Sequence, residues 1–428
     1  MHHDALLPIG VRMRIERPKY LDNLISRMHT DQAKVVTGVR RCGKSYLIFE
    51  IFKDYLLKRG VSETQIFEMA FDRYGNRRYR DSNVFYPYVI SQIETPGMHY
   101  VLLDEVQLLE HFEEVLIDLI ARENVDVYVT GSNAKLLSKD IVTEFRGRGD
   151  EVRMAPLSFA EFMTTYDDDI AMGWQSYLMY GGLPAVACKE TREEKIDYLQ
   201  RLFSEIYIND IIERNSVRNN RALDELLNVM ASTIGSLTNP NKLSDTFHSV
   251  TRSTIDPETV SSYIDYFDDA FLLERAQRYD IKGRRYIGAP YKYYFSDLGL
   301  RNARLGFRQF EETHLMENAI YNELRARGYS VDIGNMTVSE RDKHGKSVRK
   351  QLEVDFVCNN GSERIYIQSA YDLPDSEKLA QEQRSLLKTG DSFRKVIVVG
   401  KPIERHYTDE GILLLSVYDF MLDESALH

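Results

Sequence analysis

Between Gly38 and Ser45 the chain reads GVRRCGKS: a glycine, four residues, then Gly-Lys-Ser. This spacing constrains the fold more than any other feature, because such a loop works only where a strand hands over to a helix. The glycines let backbone N–H groups turn inward around phosphates, the lysine reaches the β and γ phosphates, and the serine ligates magnesium at the helix N-terminus. The flanks agree. Lys34 to Thr37 reads as a short buried strand, and Leu47, Ile48, Ile51, Phe52 and Tyr55 recur at helical spacing. The expectation is an α/β chain that binds a nucleotide triphosphate through Gly38, Arg41, Cys42, Gly43, Lys44, Ser45 and Tyr46.

Such a site needs a second carboxylate-bearing strand. HYVLLDEVQ supplies one: Tyr100 to Leu103 is apolar enough for a central parallel strand, and Asp104-Glu105 follows at its C-terminal edge, where open α/β sheets bind ligands. Asp104 is expected to hold through water the magnesium that Ser45 ligates, and Glu105 to orient and deprotonate the attacking water. A third strand, VDVYVTGSN, delivers Asn133 as a holder of that water or a sensor of the γ phosphate. Downstream, Arg146 and Arg148 are candidates for neutralising transition-state charge, in cis or from a second copy of the chain, which would make a homo-oligomer.

A net charge of −11 argues against wholesale polyanion binding and leaves nucleic acid to a local basic patch. The first twenty residues lack the apolar run of a signal peptide, and no segment carries about 18 consecutive apolar residues, so the reading is cytoplasmic with no membrane partner. Cys42, Cys188 and Cys358 are scattered, in neither a disulfide framework nor a zinc pattern.

After a core at 1–165, residues 166–220 read as a helical lid, with a Gly-Gly-Leu-Pro break at 181–184 and a long amphipathic helix after it. Residues 221–308 read as three helices, two of them opened by Asn239-Pro240 and Asp256-Pro257, then a hairpin around Lys282-Gly283. That is the order of a winged helix-turn-helix. Its wing carries Arg275, Arg278, Lys282, Arg284, Arg285 and Lys292 against Asp280, a candidate contact for DNA or RNA phosphates, although the preceding helix is acidic. Residues 309–428 follow the order of a restriction-endonuclease-like α/β domain around Asp355. The positions for its Glu and Lys hold Gln368 and Ala370, so cleavage is expected to be lost, while Glu317, Glu353 and Asp355 remain a set that could gather a metal.

TGVRRCGKS, LLDEVQ, TGSN, GRGDEVRMAPLSFAEF and the later YGGLP resemble the bacterial and archaeal AAA-type P-loop ATPases that carry a C-terminal region of uncharacterised function, over nearly the whole chain. The resemblance implies ATP with Mg2+ as cofactor, Walker roles for Lys44, Ser45, Asp104 and Glu105, and a sensor role for Asn133. The leading functional expectation is ATP hydrolysis that moves the C-terminal domains against a nucleic-acid or protein client. The alternatives are a slow nucleotide-dependent switch or interaction scaffold and, weakened by position 370, an ATP-regulated nuclease.

Overall fold

The computed structural model describes residues 14–131, 149–166, 168–341 and 347–427, with the backbone alone for 205–207. Five strands build the first sheet: β1 (Ala33–Thr37), β2 (Ile66–Ala70), β3 (His99–Asp104), β4 (Val125–Thr130) and β5 (Gly149–Arg153). They run in the order β2-β3-β4-β1-β5, all parallel. Every residue of β1, β3 and β4 is buried, which is why they read as near-continuous apolar runs. Side chains alternate between two cores. Val36, Leu102 and Tyr128 meet Leu47, Ile51 and Phe52 of the helical stretch after β1, whereas Val35, Val101 and Val129 meet Phe85, Val89 and Leu116 from the opposite layer. Because the strands are parallel, Thr37, Asp104 and Thr130 end at one edge of the sheet.

The chain then turns helical. Helix Arg192–Arg201 continues through 202–208 into helix Asn209–Asn215, and helices Asn220–Ser232, Pro240–Thr251 and Pro257–Asp269 follow. The Asn239 and Asp256 side chains cap the last two with proline at the first helical turn, as the sequence indicates. Next come β6 (Leu273–Asp280), β7 (Arg285–Phe295), helix Leu298–Arg304 and helix Glu312–Ala326. Then come β8 (Ser330–Arg341), β9 (Ser347–Asn360), β10 (Glu363–Ala370), helix Ser376–Leu387, β11 (Arg394–Val399), β12 (His406–Tyr407), β13 (Leu413–Ser416) and helix Val417–Leu422.

Two features differ from the sequence reading. The hairpin β6/β7 does not project as a free wing: Arg278 to Asp280 of β6 pair in parallel with Ile333 to Asn335 of β8, so it forms one edge of an eight-stranded sheet, β12-β13-β11-β10-β9-β8-β6-β7. Gly334 permits this approach, since a Cβ there would lie 2.8 to 2.9 Å from Val354, Ile281 and Val357. Secondly, the segment read as one lid is divided. Helix Ile170–Tyr180 buries Trp174 in the core beneath the second sheet, with Leu315, Ile320 and Phe356, and it is helix Asn209–Asn215 that reaches the first sheet's ligand edge.

Candidate active site

The loop after β1 is held from below. Gly38 and Gly43 have φ of +136° and +106°, and a Cβ on Gly38 would lie 2.0 Å from the Met154 carbonyl oxygen, so no other residue fits there without moving the chain that follows β5. Arg17, 3% exposed, donates to the carbonyls of Cys42 at 3.2 Å and Ala155 at 2.9 Å and pairs with Glu161 at 2.8 Å. It ties the loop to the segment behind it, a role invisible in the sequence because all its partners are far along the chain. Cys42 is buried, with its Sγ 3.6 Å from the Met154 carbonyl. Lys44 Nζ donates to the carbonyls of Gly38 at 2.9 Å and Val39 at 3.1 Å, which keeps the ammonium at the loop's mouth.

Across the edge of the sheet, the buried Asp104 carboxylate accepts from Ser45 and from the Thr130 hydroxyl. Burial raises its proton affinity above the usual carboxylate range, and the two hydroxyls pull it part of the way back. The Glu105 N–H donates to Thr130 Oγ1 at 3.1 Å, so one hydroxyl anchors both acidic residues. Glu105 has φ 52° and ψ 50°, a left-handed conformation costly for a residue with a Cβ and typical of functional sites. Gln107 Nε2 donates to its Oε2. Thr130 and Gln107 are additions to the set read from sequence.

Lys44, Ser45, Asp104 and Glu105 line one cavity of about 1430 Å³. Its other walls bring four arginines: Arg40 and Arg41 of the loop, Arg73 after β2, and Arg214 of helix Asn209–Asn215. Asp210 of that helix pairs with Arg40 at 3.2 Å and Arg214 at 2.9 Å. The contact between Ser45 and Asp104, a hydroxyl beside a carboxylate at the C-terminal edge of the sheet, fits a magnesium ion that takes one or two protein oxygens and completes its shell with phosphates and water. Asn133, Arg146 and Arg148 lie outside the described residues.

The same stretch carries the family signal. The family profile described as an AAA domain matches residues 30–163, and one described as a domain of unknown function matches residues 172–311. An uncharacterised protein of Haemophilus influenzae is 32% identical over 415 residues, 95% of this chain and 98% of its own. The chain belongs to this AAA-type P-loop family. An uncharacterised protein of Methanocaldococcus jannaschii is 25% identical over 405 residues, 91% of this chain and 85% of its own. Among solved structures, the Aeropyrum pernix ORC1 protein in complex with DNA covers 70% of this chain and 95% of its own at 13% identity, but its TM-score of 0.28 supports no argument. No helix among the described residues is long and apolar enough to cross a membrane.

Outside the AAA domain, the basic residues expected to form one surface separate. Lys292 is 5% exposed and Arg278 8%. Arg275 pairs with Asp265 at 3.5 Å and lies over the Tyr291 ring, which leaves Lys282, Arg284 and Arg285 exposed at the hairpin's tip. Lys292 points into the cluster read as a degenerate nuclease site, with Nζ 2.9 Å from Glu317 and 2.8 Å from Glu353. Burial works against its charge, but Glu317, Asp355 and Glu353 outweigh that and hold the ammonium above its ordinary value. The three acids are thus brought together around a lysine of β7. Asp355 accepts from the Ser369 N–H at 2.8 Å, and Gln368 Oε1 accepts from Ser385 at 3.3 Å. Among the described residues no group of three or more His, Cys, Asp or Glu is arranged to hold a metal ion.

Proposed function

We propose that the chain is a magnesium-dependent ATPase whose nucleotide state is transmitted to the C-terminal half through helix Asn209–Asn215. The observation that carries this reading is the convergence of Lys44, Ser45, Asp104 and Glu105 on one cavity, with the two acids fixed through Thr130. Magnesium held by Ser45 and Asp104 would neutralise charge between the β and γ phosphates. Lys44 binds the same phosphates as a point charge. Glu105 accepts the proton of the attacking water, with its Oε2 oriented by Gln107 and its backbone by Thr130. Arg40, Arg73 and Arg214 are candidates for charge developing on the γ phosphate, beside Arg146 and Arg148, which lie outside the described residues. The salt bridges of Asp210 make the position of Arg214 depend on the loop that holds the phosphates. A nuclease reading is disfavoured by Gln368 and Ala370 at the positions for its Glu and Lys, and by the ion pairs that engage Glu317 and Glu353 with Lys292.

Steady-state hydrolysis of ATP by the purified chain, with magnesium and with chelator, tests the proposal beside Glu105→Gln and Lys44→Ala. Glu105→Gln should lower kcat by about 10² to 10⁴-fold with ATP still bound, the range for losing a general base. Lys44→Ala should lose nucleotide affinity. Turnover persisting in Glu105→Gln would remove the base assignment, and normal affinity in Lys44→Ala would remove the phosphate role of the loop.

A further inference from the structure

The segment from Asp72 to Asp81, DRYGNRRYRD, leaves the end of β2 beside the nucleotide cavity, and beyond Arg73 the activity proposed above gives it no task. Residues Tyr74–Arg80 form a 3₁₀ stretch, in which side chains three apart eclipse one another. One row faces in. Asn76 Nδ2 donates to the Ala70 carbonyl at 2.9 Å, and the buried Tyr79 stacks on Tyr88 at 4.6 Å between ring centres. Arg80 fastens the end of the stretch, with Nε 2.8 Å from the Phe71 carbonyl.

The other row faces out. Tyr74 is 88% exposed, the highest value among the exposed large apolar residues, and Arg77 stands three residues on. Among the described residues neither side chain has a hydrogen-bond or ion-pair partner. Next to them the Arg78 guanidinium lies over the Tyr79 ring, 4.6 Å from its centre, and donates to its hydroxyl at 2.6 Å. The segment places Arg73, Arg77, Arg78 and Arg80 against Asp72 and Asp81, on a chain whose net charge is −11. Neither acid offsets the outer row, for Asp81 caps helix Ser82–Gln92 and Asp72 lines the nucleotide cavity. Fixing an unsatisfied aromatic ring and two guanidiniums in water, on a scaffold anchored from beneath, is what a stacking surface flanked by phosphate ligands requires.

We propose that Tyr74, Arg77 and Arg78 form a contact for single-stranded nucleic acid at the mouth of the nucleotide cavity, with Tyr74 stacked on a base and the guanidiniums on adjoining phosphates. An unpaired strand is specified because a ring can stack only on a base face that is not already covered in a duplex. Arg73, the residue before Tyr74, lines the cavity with Lys44, Asp104 and Glu105, so this contact adjoins the cavity wall along the chain. The link to hydrolysis rests on the ATPase reading; the binding itself does not.

The test is fluorescence anisotropy of the full chain with labelled oligo-dT of about 20 nucleotides and a duplex of equal length, between about 50 and 200 mM salt. Arg77→Glu should weaken oligo-dT binding roughly tenfold at the lower salt and reduce the salt slope by about 0.7, the value for one phosphate on a single strand. Tyr74→Ala should weaken it by roughly 5- to 150-fold with the slope unchanged, the range for one stacked base. Both side chains are exposed and unpartnered, so neither variant compromises folding. Absence of oligo-dT binding by the wild-type chain, or binding by both variants within about twofold of it, would overturn the proposal, as would preferential binding of an acidic polypeptide lost in the same variants. If oligo-dT binds through Tyr74 while Glu105→Gln hydrolyses ATP normally, the assignment of the base falls and this contact stands.

Discussion

Thr130 donates to Asp104 and accepts from the Glu105 N–H, so a hydroxyl at the end of β4 sets both acids at the end of β3. Thr130→Val keeps the shape and deletes the hydroxyl, leaving a buried carboxylate and an N–H each short of a partner. The expected cost is about 1 to 3 kcal/mol of stability, with a fall in kcat larger than any change in ATP affinity, and Thr130→Ser should restore both. Urea unfolding and steady-state kinetics of the pair check this. The loop and the Asp-Glu pair were legible in the sequence because their chemistry is written in fixed local spacing. Thr130 was not, since its role exists only because β4 lies beside β3 with Val129 opposite Leu103. Arg17 escaped for the same reason.

Helix Asn209–Asn215 carries Asp210 and Arg214 to the nucleotide cavity on one short amphipathic element, and that placement yields a second expectation. Arg214→Ala should raise the KM for ATP and lower kcat together, whereas Asp210→Ala, which removes pairs between partly exposed groups worth about 0.2 to 1 kcal/mol, should change KM by only a few-fold. Initial-rate kinetics on both variants separate the two. On the second sheet, β7 and β9 bring Lys292 against Asp355, whose carboxyl is pushed up to about 8 by burial and then by Glu317, with Lys292 opposing. The folded chain therefore keeps a proton that the unfolded chain releases near pH 4, so this contribution to stability is lost progressively as pH rises from about 4 to about 8 and is level above that. Melting temperatures between about pH 5 and 9.5 should show the decline and then the plateau, and Asp355→Asn should flatten the decline. Sequence alternation made β6 and β7 visible as strands, but alternation says nothing about what pairs with an edge, so Lys292 read as part of a surface when it is part of a core.

At the scale of the whole molecule, two sheets share the chain, and the strands of the second begin before the helix that opens its C-terminal part. β6 and β7 precede residue 309, yet β6 pairs with β8, and Tyr294 of β7 stacks on Tyr321 at 4.2 Å between ring centres. A chain ending at residue 308 should consequently be less soluble than the full-length protein and lose cooperative unfolding, which size-exclusion chromatography and calorimetry would reveal. The parallel α/β core and the capped helices were readable because parallel buried strands and helix caps leave local signatures; the seam between the halves was not, because it is a pairing across some fifty residues of chain. The seam also bears on inheritance. A recombination event that exchanged the C-terminal part at its apparent boundary would hand the recipient an uncovered strand edge, the form of surface that templates aggregation, so the two halves are expected to descend together or to part only where β6 and β7 travel with the sheet they complete.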